Sequence, residues 1–476
     1  MRTVQHESEP VRPETSPSDD VPALNRLLYA SHSFGSSVLS RTQQAWLIFF
    51  YAPPEGEGEA IVPRVTLATI LFALGILDAV DDPLIGYWSD RTRSPWGRRV
   101  PFIVLATPFY ALFFFLFWTP PEGQFAATVY IAVIVFLQRL TGTLSGGPME
   151  ALLPEVARTP AARVSNVGWQ FLFGALGAVV GLVASGVLKD IWGFAVMGAA
   201  VAIIALLSRY IGVFGVVRHL RRDIEPVTIG VRESLAKAMR NDQFLSFLPT
   251  FVLFNMAAML LTAALPFYAE IVILGDRDEM TLHVLGRTLT LAEGAISSIL
   301  FGVTIGAVML ELPFVLRLAA RFGKARVYSA AMLLGAAMFP LLFFMGLVPG
   351  VPVLAQSIVF VMLAGLPLAG VFTFPNALIA DIADYDAVRT GMRREALYYG
   401  TQNVVEKWTG SLMFPIFAGV LLLGETPDNP LGIRLVGPIA GLAAILAWVS
   451  FRRYWLPDDV TPEAVAAYDA RTAGAS

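Results

Sequence analysis

Cysteine is absent from all 476 residues, which excludes disulfide bonds and thiolate metal sites. Charge is scarce as well: Asp, Glu, Lys and Arg make up 15% of the chain and nearly cancel, to a net −3, so nothing in the balance points to a nucleic-acid partner. The four histidines, His6, His32, His219 and His283, do not cluster with carboxylates at metal-ligand spacing. No Gly-x4-Gly-Lys-Ser/Thr loop occurs, which argues against a nucleotide partner, and no nucleophile with an adjacent base is recognisable, so the chain is not read as an enzyme. What remains is apolar. Hydrophobic residues make up 56% and the mean hydropathy is +0.64, more than one soluble core needs.

A helix takes ~20 residues to cross a bilayer. Apolar runs near 24–51, 66–89, 100–118, 126–150, 164–188, 191–217, 244–273, 287–317, 326–347, 351–382, 396–423 and 431–455 predict an all-α membrane protein of twelve spans. Strands of a membrane barrel would be half as long and would alternate, which these runs do not. Residues 1–23, polar, acidic and Pro/Ser-rich at their start, are expected to form a disordered tail rather than a signal peptide, and 456–476 a second tail.

Three carboxylates interrupt the second span. Asp78 and Asp82 stand one turn apart on one helical face, with Asp81 on its flank. An ionised carboxylate at this depth costs at least ~2.5 kcal/mol unless it meets water, a basic partner or a cation, so a functional site is the default reading. Such a pair repels itself, and a bound Na⁺ or proton relieves the repulsion. Glu150, near the end of span 4, is a further candidate ligand; its alternative role is to pair with a nearby arginine.

Basic residues crowd alternate loops. Arg91, Arg93, Arg98 and Arg99 follow span 2, Arg317, Arg321, Lys324 and Arg326 follow span 8, and six more occupy the 218–243 linker. The opposite loops hold Glu55, Glu57, Glu59, Glu425 and Asp428. The positive-inside rule then puts both termini and the linker in the cytoplasm. The linker divides the chain into six-span halves, 24–217 and 244–455. Gly97-Arg98-Arg99 returns as Gly323-Lys324, and Pro148-Met149-Glu150-Ala151 as Pro375-Asn376-Ala377, at offsets of 226 and 227. Two pseudo-symmetric six-helix bundles with a cavity between them are the expected architecture.

Arg41, Arg139 and Lys407 are basic residues inside spans, positioned to counter the span-2 aspartates or to meet an anionic group on a cargo. Gln43, Gln44, Asn166, Trp169, Gln170, Tyr398, Gln402 and Asn403 offer the amides and ring faces that a polar solute needs. Asp90, Arg91, Arg98, Arg99, Arg321 and Arg326 suit a gate between the loop ends of the two halves.

Gly86-x3-Asp90-Arg91 with Gly97-Arg98-Arg99 resembles the loop signature of the major facilitator superfamily. Asp78-Ala-Val-Asp-Asp82-Pro83, Pro148-x5-Pro154 and Ala380-Asp381-Ile382-Ala383-Asp384-Tyr385 with Arg393, Arg394, Tyr399, Gln402 and Lys407 resemble its glycoside-pentoside-hexuronide:cation symporter branch. The resemblance implies the major facilitator fold and cation-coupled symport of a sugar, glycoside or related solute. It also implies cation roles for Asp78 and Asp82, a coupling role for Lys407, no cofactor beyond the transported ion, a plasma (inner) membrane location and a monomeric carrier. The chain departs from the branch's best-known member at Gly146, where a third cation carboxylate is expected, and at Ser37 and Gln170, where sugar-binding Asp and Arg residues would fall. Transport of an anionic or amphipathic solute such as a lysolipid is the alternative within the fold. An intramembrane enzyme or channel is the alternative outside it.

Overall fold

The computed structural model describes residues 21–55, 58–92, 94–220, 239–284, 287–391, 395–458 and 460–466. The apolar runs are helices because lipid offers no partner to a free peptide group, so each run must satisfy its own backbone. The first half holds α1 (Ala23–Ala30), α2 (His32–Tyr51), α3 (Arg64–Arg91), α4 (Val100–Leu116), α5 (Gln124–Ala151), the short α6 (Leu153–Val156), α7 (Pro160–Val179) and α8 (Ser185–Val216). The second half holds α9 (Asp242–Phe267), α10 (Glu293–Phe322), α11 (Lys324–Met338), α12 (Val353–Thr390), α13 (Glu395–Leu421) and α14 (Leu431–Phe451).

Eight helical runs are by themselves long and apolar enough to cross a membrane, and the run Ser165–His219 is one of them. That run folds back on itself at Gly193, whose φ of +79° and ψ of 170° break α8, and so supplies spans 5 and 6. Arg64–Leu77 and Val100–Leu116 are shorter apolar helices, and α1 with α2 forms a more polar first span. The twelve-span fold expected from the sequence follows. Leu105, Phe125 and Leu310 are among the large apolar side chains on the outer surface, where lipid rather than water is the solvent.

One sequence expectation is corrected. Span 8 does not begin at 287: Met280–Val284 (β1) and Arg287–Leu291 (β2) pair as an antiparallel hairpin, Met280 opposite Leu291, and α10 starts only at Glu293. The cue was there in the alternation of Thr281-Leu282-His283 and Thr288-Leu289-Thr290. The adjoining apolar run masked it. The start of the second tail packs against the molecule: Leu456 and Val465 are buried and Asp458 accepts the backbone N–H of Lys324 at 2.9 Å.

The internal repeat is visible in atomic detail. Gly97 and Gly323 share a positive φ, +95° and +94°, which a side chain would resist. The basic residue after each reaches an acid of its own half: Arg98 reaches Glu155 in α6, just after the fourth span, at 3.5 Å, and Lys324 reaches Asp381, within α12, at 2.7 Å. All three pairs of positions are 226 residues apart.

Candidate functional site

The halves are tied together at the end away from the basic loops. Lys189 of α8 donates to Glu293 of α10 at 2.5 Å and lies 3.1 Å from its own neighbour Asp190. The ammonium also sits 5.0 Å from the ring centre of Trp46 and 5.5 Å from those of Phe49 and Phe194. Asp190 accepts the N–H groups of Gly294 and Ala295 at 3.1 and 2.6 Å, so the first half caps a helix of the second. Phe49 meets Phe267 edge-on at 5.4 Å, and Arg64 pairs with Glu425. Burial pushes the Glu425 carboxyl above the usual glutamate range, and Arg64 draws it part of the way back.

This closure needs small residues. A Cβ on Gly186 would stand 2.3 Å from the Gly294 carbonyl oxygen and 2.4 Å from Ser298 Oγ. Gly186→Ala is therefore expected to open this end, read as a longer distance between spin labels on the two halves. A distance distribution unchanged from wild type would show that the closure tolerates the methyl group.

The centre of the molecule lies deeper. A Cβ on Gly75 of α3 would meet Ser411 Oγ of α13 and, at 3.3 Å, Nη1 of Arg139 from α5, so these three helices converge there. Ser411 donates to the Lys407 carbonyl at 3.0 Å, and Arg139 and Lys407 both have partners. Asp78 and Asp82 stand three and seven positions past Gly75 in α3, and their side chains lie outside what the structure describes, as do those of Asp90 and Arg91. Arg41 of α2 donates to Gln44 at 2.8 Å, packs its guanidinium 5.9 Å from the Phe372 ring of α12, and lies within electrostatic reach of Glu406 on α13. Among the described residues no group of three or more His, Cys, Asp or Glu is arranged to hold a metal ion.

The other sequence candidates scatter. Gln43 and Gln138 exchange two side-chain hydrogen bonds, each Nε2 donating to the other's Oε1 at 3.1 and 3.0 Å, which braces α2 against α5. Gln170 of α7 meets His32 at 3.2 Å, and Trp169 is exposed beside Phe173. Tyr398, expected near the cargo, is instead fully buried against Phe244 with its hydroxyl accepting from Asn241 at 2.9 Å; an aromatic ring with one polar tip fits that core position well. Gln402 is buried one turn on, Asn403 is exposed, and the Glu150 side chain is exposed at the end of α5. Of the expected gate, Arg98 and Arg99 hold Glu155 within their own half, Arg321 lies over Phe322, and Arg326 is exposed.

Arg209 and Glu311 are among the intramembrane charges that escaped the sequence reading. Arg209 of α8 is buried, donating to Ser145 and, at 3.0 Å, to Ser36, over the Tyr110 ring. Glu311 of α10 has a buried Oε2 without a hydrogen-bond partner. Each is a lone charge in an apolar run, a cue as plain as that of Arg41.

Two six-helix halves around a charged intramembrane centre, tied at one end by ion pairs between them, give the architecture of a multi-pass membrane protein. The family model described as MFS/sugar transport protein matches residues 28–426, and the chain belongs to that family. It is 24% identical over 269 residues to the inner membrane symporter YicJ of Escherichia coli, covering 55% of this chain and 57% of that one. To the lactose permease of Lactobacillus delbrueckii it is 25% identical over 415 residues, 82% of this chain and 61% of the relative. A stretch of 120 residues is 28% identical to the sodium-dependent lysophosphatidylcholine symporter 1 of Gallus gallus, 25% of this chain and 22% of that one. The chain thus spans between a fifth and three fifths of the length of these relatives. Among solved structures, a POT family transporter in complex with 5-aminolevulinic acid superposes with a TM-score of 0.62 at 13% identity, covering 90% of this chain and 95% of that one. The nucleoside transporter NupG gives 0.60 at 11% identity, with 90% and 99% covered. At such identities the likeness concerns the fold.

Proposed function

We propose that this protein is a secondary transporter that couples the movement of Na⁺ or H⁺ to symport of a sugar, glycoside or related small organic solute. The single observation that supports this most is the family match across 28–426, joined to a charged centre built from both halves. The coupling ion binds at Asp78 and Asp82, lowers their mutual repulsion and so favours one arrangement of the halves over the other. Cargo loads between the halves near Arg41 and Lys407, and both ligands together allow the halves to rock. The basic loops face the cytoplasm, so the end tied by Lys189 and Glu293 faces outward. Support for the lysolipid alternative comes from the lysophosphatidylcholine symporter relatives, over about a quarter of the chain.

The test is uptake of a panel of labelled glycosides, pentoses, uronates and lysolipids into proteoliposomes under an imposed Na⁺ gradient or an imposed pH gradient. Accumulation of a glycoside or pentose that collapses with its gradient is the expected result. Uptake indifferent to both gradients would refute coupling, and accumulation confined to lysolipids would establish the alternative.

A further inference from the structure

We propose that Glu311 is a proton-binding site of the second half, separate from the aspartate pair in α3, and that it carries its proton in the form closed at the outer end. Glu311 lies well inside α10, a membrane-spanning run from Glu293 to Phe322. Its Oε2 is buried, and neither carboxyl oxygen has a hydrogen-bond or ion-pair partner among the described residues. The helix turns this side chain into a seam. Ala307 and Val315, one turn to either side of it, are both buried. A Cβ on Gly365 of α12 would stand 2.9 Å from the Ala307 Cβ and 3.1 Å from the Thr304 carbonyl oxygen, so α10 packs closely on α12 one turn from Glu311.

An ionised carboxylate in such a place needs water, a basic side chain or a cation. No charge on the elements packed against α10 is level with Glu311. Arg317 and Arg321 follow on α10 itself, nearer the cytoplasmic end. On α12 no titratable side chain stands between Gly365 and Asp381, and Asp381 is held by Lys324. On α11 only Lys324, Arg326 and Tyr328 titrate, all near its start, and on α9 only Asp242, its first residue. Arg163 of α7 donates to the Ala157 carbonyl, and Arg209 of α8 is bonded to Ser36 and Ser145 inside the first half. Lys189, Asp190, Tyr268 and Glu270 belong to the outer end with Glu293, which the helical rise puts ~27 Å from Glu311. A hard cation needs several oxygens to replace its water, and the described residues bring no group of three acids or histidines together. A proton needs only one. It removes the charge and lets the carboxyl remain in apolar surroundings.

The full-length protein in lipid nanodiscs is treated with dicyclohexylcarbodiimide, which attacks protonated carboxyls in apolar surroundings, and the modified peptides are quantified by mass spectrometry. Modification of Glu311 is expected to be at least about ten-fold greater at about pH 6 than at about pH 9, and indifferent to added Na⁺, while the exposed Glu122 stays unmodified at both. Thermal unfolding supplies a second reading. A carboxyl that is neutral when folded and free to ionise when unfolded costs stability as pH rises. The melting temperature of Glu311→Gln is therefore expected to climb above that of wild type by a margin that widens from about pH 5 to about pH 9, with Glu311→Asp following wild type. Modification that is absent, equal at both pH values or prevented by Na⁺ overturns the proposal, and so does a margin that stays constant with pH. Should Glu311→Gln fail to fold, the labelling of wild type decides alone. Neither reading uses cargo or a gradient, so a failed uptake experiment leaves both intact.

Discussion

Asp78→Asn and Asp82→Asn are each expected to abolish gradient-driven accumulation while leaving folded protein in the membrane. The two residues are one turn apart in α3, just beyond the point where α3, α5 and α13 converge. With two carboxylates the empty site is penalised by like-charge repulsion and the ion-loaded site is not; with one, that difference shrinks. Coupling free energies of this kind are typically about 1–3 kcal/mol, so accumulation should drop by up to about 150-fold. Exchange of cargo down no gradient should survive, because it requires the halves to rock but not the ion to drive them. Proteoliposome uptake and counterflow, measured side by side with a thermal-unfolding control, provide the check. If both variants accumulate cargo as wild type does, the ion site lies elsewhere.

Lys189→Met should shift the protein strongly toward the form open at the end now closed. The ammonium holds Glu293 and Asp190 in a setting where lysine and glutamate side chains are only 12% and 7% exposed. Removing one member of a buried pair leaves an uncompensated charge and costs about 3–5 kcal/mol. That penalty applies only while the end is closed, since opening returns the carboxylates to water. A change of that size moves the equilibrium by about two to three orders of magnitude, enough to invert a strongly one-sided population. The absence of cysteine makes the measurement direct: spin labels at Glu122→Cys and Leu422→Cys report one distance across the two halves. A longer distance is expected in Lys189→Met and the wild-type distance in Lys189→Arg. Identical distributions in all three proteins would mean that the Lys189 cluster does not hold the halves together.

These two predictions differ in how far the sequence alone reaches. Asp78 and Asp82 stand out as candidates from the sequence because the energetic penalty for charge in lipid is local, and two carboxylates inside one apolar run can be seen without a partner. The repeat was legible for a similar reason: a Gly that turns the chain, a basic residue and a Pro-marked helix recur at a fixed offset in both halves. The Lys189 cluster could not be found this way. Lys189 and Glu293 are 104 residues apart and each sits at a helix end, where a charge needs no explanation. Tyr398 shows the opposite error, since the same ring and hydroxyl suit a cargo site and a core equally well, and only its neighbours Asn241 and Phe244 decide between them.

The sequence by itself determined the solvent, the number of crossings and the two-fold plan, because hydropathy, helix length and loop charge act within each segment and against the bilayer. Tertiary structure alone decided which end is closed, which charges face each other across the halves, and where a hairpin replaces a helical turn. Those outcomes depend on distances between side chains far apart in the chain, set by close packing of one helix on another, and no local pattern encodes them.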